Sequence, residues 1–321
     1  MSGNGSNLQS RGGTQFDQLA SLLDATLDQP DVVFISADAS GSFRLSPQLR
    51  QRPGKLIEVG IAEGSAVGIA YGMSLRGYKP FVVGFSTFTL LRGLEAIRSY
   101  VCYHNADVTI LGGMSGLSNS RDGFMHQSTD DVGILSAIAG MRVLTPSDQS
   151  SLELTMREVM RSQGPKFVRL YRTVIELGSD AISLSAWTRV AVRLDFGSDF
   201  AVVSYGHVLQ EGAAAVRSLS TQGKRGRLVE VLQLEPLDHR ALLGAIGDAR
   251  LVISVEDHQI KSGLGGRLKV LLNEQREGTC KLVNVGLQEG QYGSSGRLQD
   301  LLAGCNVDAA AIEQAVLNAS S

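Results

Sequence analysis

A chain of 321 residues, 43% of them hydrophobic, can bury a substantial core and make about two domains of ordinary size. Its 30 Lys and Arg balance 32 Asp and Glu to a formal net charge of -2, so there is no basic face to meet a phosphate backbone and nucleic acid is excluded as a partner. Cys102, Cys280 and Cys305 are too widely spaced for a zinc site or a disulfide framework, and no apolar run approaches the ~18 residues of a membrane span, so a cytoplasmic setting with no membrane contact is expected.

Residues 1–13 are rich in Gly, Ser and Asn without a signal-peptide core, and are expected to form a disordered leader. From 14 to 175, apolar runs at Val32–Ser36, Leu56–Gly60, Phe81–Ser86, Val108–Gly113, Met141–Pro146 and Lys166–Tyr171 alternate with helical patterns. That alternation predicts an α/β fold with a doubly wound, mostly parallel sheet. Residues 176–198 break the pattern with Gly, Ser, Asp and a lone Trp187, and are expected to be a linker. A smaller α/β domain is predicted over 199–321, with strands near Phe200–Tyr205, Arg227–Gln233, Leu251–Val255 and Cys280–Val285. Its helices are expected near Val208–Ser220, Asp238–Ile246 and Leu264–Asn273.

Candidate chemistry gathers where strands of the first sheet end. Glu63 follows the strand at Leu56 and begins a helix of small residues, Ala66, Gly68, Ala70 and Gly72. Alone it reads as a first-turn acid that complements the helix dipole; at the carboxyl end of a parallel strand it also stands where open α/β sheets hold ligands. Phe85 and Phe88, three residues apart at the next strand end, can flank a flat heterocycle, although core packing explains most Phe residues. Asn119 to Gln127 form a polar loop containing Asp122 and His126, and Gly164 to Arg172 is a strand running out to an Arg suited to a carboxylate or phosphate. His104, His207, His239 and His258 lie in different elements without ligand spacing, and Gly263–Gly266 reads as helix-start packing.

The order of these groups carries a family resemblance. The stretches GIAEGSAVGIAYG from Gly60, FSTFTLLRGLEAIR from Phe85, LGGMSGLSNSRDGFMHQSTDDVGILSAIAGMRVLTPSD from Leu111, GPKFVRLYR from Gly164 and LVISVEDHQIKSGLGG from Leu251 together resemble the carboxyl-terminal part of transketolases. The likeness covers the pyrimidine-binding and C-terminal domains, from about Asp31 to Val316. It implies thiamine diphosphate as cofactor, with Glu63 matching the catalytic Glu that hydrogen-bonds N1′ of the aminopyrimidine. Phe85 and Phe88 then match the aromatic wall of the pyrimidine, Arg92 an Arg beside it, and Asp38 and Ser42 a loop near the thiazolium and phosphate. Asp122 and His126 match groups that contact donor hydroxyls, with His126 also catalytic, and Arg172 matches the Arg that grips substrate phosphate. Glu256–Asp257–His258 resembles a motif of the family's C-terminal domain, a domain that generally supports dimerisation and not the chemistry.

The family holds the diphosphate and its metal through a GDG motif, which this chain lacks; neither Arg121–Asp122–Gly123 nor Ile246–Gly247–Asp248 supplies it. The resemblance therefore implies no metal site here and an α-type partner that carries Mg²⁺ (or Ca²⁺) on a GDG domain. The assembly expected is an α2β2 heterotetramer built on a β–β dimer. The expected activity is transfer of a two-carbon ketol unit from a phosphorylated ketose donor to an aldehyde or specialised acceptor. The alternatives are the E1 β-type component of a 2-oxo acid dehydrogenase and a non-catalytic scaffold component. Departures from the family pattern fall at the sugar end: Gly64 after the catalytic Glu, Leu94, Met114 where a donor-binding His is frequent, Arg121, and Phe124–Met125 before the His.

Overall fold

The computed structural model describes residues 13–320 apart from 46, 48, 50, 277 and 278. The expected leader, except for Gly13, lies outside the described residues. Among the described residues no helix is long and apolar enough to cross a membrane.

The first domain opens on α1 (Gln15–Leu27), whose Thr14 cap accepts from the Asp17 amide while the Asp17 carboxylate accepts from the Thr14 amide. Six strands follow: β1 (Val32–Ser36), β2 (Leu56–Glu58), β3 (Lys79–Phe85), β4 (Thr109–Gly113), β5 (Arg142–Leu144) and β6 (Lys166–Arg169). They pair in parallel in the order β2-β1-β3-β4-β6-β5. All residues of β1 and β4 are buried, as continuous apolar runs in a two-sided sheet require. The crossovers include α2 (Glu63–Ser74), α3 (Ser86–Ala96), which runs on into a π-helical turn over Ile97–Cys102, α4 (Asp131–Ser136) and α5 (Gln149–Arg161).

The strand order reverses between β1 and β3, which is the switch point where open α/β sheets leave a crevice. The segments leaving β1, β2 and β3 carry Asp38 and Ser42, Glu63, and Phe88 and Arg92 respectively. The topology thus delivers three of the sequence motifs to one edge.

The second domain contains β7 (Val190–Asp195), β8 (Phe200–Ser204), α6 (Leu209–Thr221), β9 (Gly226–Val231), β10 (Gln233–Glu235), α7 (His239–Ile246), β11 (Leu251–Gln259), α8 (Leu264–Gln275), β12 (Lys281–Leu287), α9 (Leu298–Gly304) and α10 (Ala309–Ala319). Its sheet runs β12-β11-β8-β9-β7, with β7 antiparallel to β9 and the other pairs parallel. Two findings differ from the sequence reading. The segment expected as a linker contains the edge strand β7, because Arg193 within it is drawn into the core by Glu230 and Asp148 instead of facing water. The single run expected from Arg227 to Gln233 divides into β9 and β10, and β10 crosses over to pair antiparallel with β5 of the first sheet. Buried apolar residues of both domains, among them Val143, Val231 and Leu234, consequently belong to one continuous cluster.

Candidate active site

Two helices meet closely to assemble the centre of the site. A Cβ placed on Gly64 would stand 3.3 Å from the Arg92 carbonyl oxygen, and one on Gly93 would stand 3.2 Å from Val67, so the missing side chains let α2 and α3 approach. The Gly64 departure from the family pattern therefore has a packing reason. This approach brings the Glu63 carboxylate, only 5% exposed, within 2.8 Å of Arg92 Nη1. The Arg92 guanidinium in turn lies 4.6 Å over the Phe88 ring.

His126 closes the group from the far side. Its ring packs edge-on against Phe88 at 5.0 Å and against Phe85 at 6.2 Å, and the two Phe rings are 6.1 Å apart. Glu63, Arg92, Phe88, Phe85 and His126 are thus one chain of contacts drawn from three segments.

The loop that bears His126 holds buried polar atoms with no partner among the described residues: Asn119 Nδ2, His126 Nδ1, Gln127 Oε1 and Ser128 Oγ. Native interiors pair such atoms almost always, so four within ten residues mark this loop as unusually polar inside. The loop is braced by the second domain, where Gln127 Nε2 donates to the Ser294 carbonyl, Gly296 N to the Ser120 carbonyl, and Phe124 meets Tyr292 at 5.9 Å. Sequence reasoning missed this brace, since a Gly- and Ser-rich segment some 170 residues away carries no local sign of its target.

A second group forms after β1. Ser42 and Arg172 line a cavity of about 340 Å³ together with Thr14, Phe16, Gly41 and Arg44. Arg172 is exposed and stands three residues beyond the end of β6, whereas the Arg that ends the strand, Arg169, is fully buried. Arg44 was missed by the sequence reading; its place two residues after Ser42 was the available signal, and Asp17 holds it at 3.1 Å. Asp38, on the same loop, is exposed in the left-handed backbone region at φ 54°, with Ser36 Oγ accepting from the Ala39 and Ser40 amides on its far side. Asp122 is exposed at the mouth of the polar loop, and its neighbour His126 alone turns to the rings. Met114 is 1% exposed and packed in the apolar core, so it presents no polar atom where the family pattern often has a His.

The first group thus joins a buried carboxylate, an arginine and three rings, and the cavity beside Arg44 and Arg172 carries two guanidinium side chains suited to an anionic group. The family model for the transketolase pyrimidine-binding domain matches residues 18–176, and that for the transketolase C-terminal domain matches residues 189–312. The chain belongs to the transketolase family. Similar along most of its length is one component of an apulose-4-phosphate transketolase from Actinobacillus succinogenes, 28% identical over 92% of this chain and 95% of that one. A component of a 6-deoxy-6-sulfo-D-fructose transketolase from Clostridium sp. strain MSTE9 is 27% identical over 87% of this chain and 86% of that one. Among solved structures, a split-gene transketolase in an inactive β4 tetramer superposes with a TM-score of 0.82 at 25% identity, over 96% of this chain and 98% of the other. The transketolase fold expected from sequence is therefore the one observed, and the chain is a transferase-type member of a thiamine-diphosphate family.

Proposed function

We propose that this chain is the β-type component of a two-subunit transketolase that transfers a two-carbon ketol unit from a ketose phosphate to an aldehyde or specialised acceptor. The observation that carries the reading is a nearly sealed carboxylate, Glu63, reached through Arg92 and the Phe88 ring from a loop of unpartnered polar atoms. These residues fit the pyrimidine end of thiamine diphosphate: Glu63 would accept a ring hydrogen bond, Phe85 and Phe88 would flank the ring, and Arg92 would border it. When bound, the cofactor supplies a carbon nucleophile and an electron sink for ketol transfer.

The remaining work falls to this chain's own side chains. Glu63 would exchange a proton with the pyrimidine edge, which needs a carboxylate shielded from water. His126, packed edge-on against Phe88, would contact a donor hydroxyl together with Asp122. Asp38 and Ser42 would border the thiazolium and the substrate, and Arg172 would pair with the anionic end of the donor in the cavity it lines. The phosphate and sulfo groups in the names of the two relatives favour an anionic donor.

Because the sequence lacks the GDG motif, the diphosphate and Mg²⁺ (or Ca²⁺) are assigned to an α-type partner in an α2β2 assembly. The test is reconstitution with a partner bearing that motif, followed by calorimetry of cofactor binding and an assay of ketol transfer. The wild-type pair is expected to do both, and Glu63→Ala to lose at least about 100-fold in turnover, the lower range for a proton-transfer group. Undiminished turnover by Glu63→Ala would remove the mechanism, and decarboxylation of a 2-oxo acid without ketol transfer would identify an E1 β-type component instead.

A further inference from the structure

Behind the aromatic pair lies a second polar cluster that the transfer reaction does not use. Asp131 and Arg169 are both fully buried and paired at 2.9 Å. Asp131 Oδ2 also accepts from Ser86 Oγ at 2.8 Å, and Oδ1 accepts from the Val132 amide at 2.9 Å. Arg169 continues to the Tyr171 hydroxyl and the Ser128 carbonyl, and its guanidinium lies 5.3 Å from the Tyr205 ring centre.

The second domain seals this cluster. His258 Nε2 accepts from the Gly133 amide at 3.4 Å while Nδ1 faces the Gln259 carbonyl at 3.0 Å, a pattern that fits a proton on Nδ1. Asp257 accepts from the Leu117 amide at 2.8 Å and pairs with His207 Nε2 at 2.6 Å. A Cβ on Gly116, whose φ is 61°, would stand 1.6 Å from Asp257 Oδ2, so the strand-end loop can lie against that carboxylate only with glycine there. Glu256 accepts from Tyr205 and from the Leu264 and Gly265 amides at the start of α8. All three residues of the Glu256–Asp257–His258 motif are buried and make these contacts inside the chain, at the junction of its domains.

Ser86 is the first residue of α3, directly after Phe85 and two before Phe88. Phe85, as N-cap, makes no side-chain capping bond, and neither phenyl ring carries a hydrogen-bonding group of its own. Among the described residues, the charged hydrogen bond that anchors this helix start is Ser86 to Asp131.

We propose that Asp131 is a positioning residue: through Ser86 it fixes the start of α3, and with it the Phe85–Phe88 wall of the cofactor site, against a charge pair sealed by the second domain. The role rests on the transketolase reading for its consequence in cofactor binding, and on the contacts alone for its consequence in the fold. Ser86→Ala removes the donor and leaves the Asp131–Arg169 pair intact. In the reconstituted pair it is expected to weaken thiamine diphosphate binding about tenfold by calorimetry, the low end for losing a hydrogen bond to a charged group. Turnover at saturating cofactor should stay within about twofold, because no reacting group is touched.

The control is Arg193→Met, which breaks the pairs of a buried arginine with Glu230 and Asp148, both far from α3 in sequence. It should lower the unfolding temperature at least as much while leaving cofactor affinity unchanged. Hydrogen exchange of the full chain without cofactor gives an independent readout. Amides at the start of α3 should exchange about tenfold faster in Ser86→Ala and at the wild-type rate in Arg193→Met, since local opening reports the lost contact. Unchanged exchange in Ser86→Ala, or equal losses of affinity in both variants, overturns the proposal. Faster exchange with no cofactor binding by the wild-type pair upholds the positioning contact and overturns the transketolase reading instead.

Discussion

Two carboxylate–arginine pairs stand at either end of the first turns of α3, and they differ in one respect. Asp131 and Arg169 are both sealed from water, whereas Glu63 is buried but its partner Arg92 is 52% exposed. Separating two desolvated charges leaves one of them uncompensated in the interior. Releasing Glu63 from a half-solvated arginine costs less, because water receives the arginine and only the buried carboxylate is left without its partner. One pair is therefore a frame and the other an exchangeable contact, with a single helix between them.

The largest test of that contrast is Asp131→Ala. Removing one member of a fully buried pair is expected to cost about 3–5 kcal/mol in chemical denaturation, with Arg169 left unpaired. The neighbouring Asp257 supplies a pH test of the same seal. Burial alone would raise its carboxyl, but the adjacent His207, helped by Arg169 and the Leu117 amide, holds it below its ordinary value of 3.8. A depressed carboxyl contributes stability that is complete above the unfolded-state pKa and disappears as pH falls through the folded-state pKa. The wild type should thus lose stability on acidification below about 4, and Asp257→Asn should be less stable at neutral pH with a flatter acid limb. An acid limb identical in both proteins would detach Asp257 from the seal.

Effects at the open end should be smaller and should appear in binding. Arg172→Ala is expected to raise KM for a phosphorylated donor by roughly tenfold and to change KM for the matching free sugar little, since the lost contact is an ion pair. Equal changes for both donors would withdraw its role. Least of all, Arg92→Ala should lower the stability of the isolated chain by about 1 kcal/mol, the low end for leaving a buried acceptor without its partner, since only one of the two charges is sealed. A loss approaching that of Asp131→Ala would erase the distinction between the pairs.

The same contrast explains which parts of the molecule were legible in the sequence. The strands at Val32 and Val108 could be read because both faces of a parallel sheet are covered, so their apolar runs are unbroken. β7 was hidden because Arg193 interrupts its pattern, and the buried Glu230 and half-buried Asp148 that neutralise it lie 37 and 45 residues away. Glu63, Phe85, Phe88 and His126 could be placed at strand ends from motif order alone. The Glu63–Arg92 contact depends on a close helix crossing, which Gly64 and Gly93 permit without announcing. Ser86, Asp131, Arg169 and His258 each look ordinary in their own elements, and their joint meaning arises only where the two domains close over them.

The crossing of β10 to the first sheet bears on how such a chain can be inherited or divided. Its sequence reads as two modules in tandem, but the outer edge of the first sheet is covered by a strand borrowed from the second. Cutting between the modules would bare the backbone of β5 and offer it to any passing strand. Genes can rearrange around this pair of domains, yet the pair itself has reason to travel as a single hereditary unit.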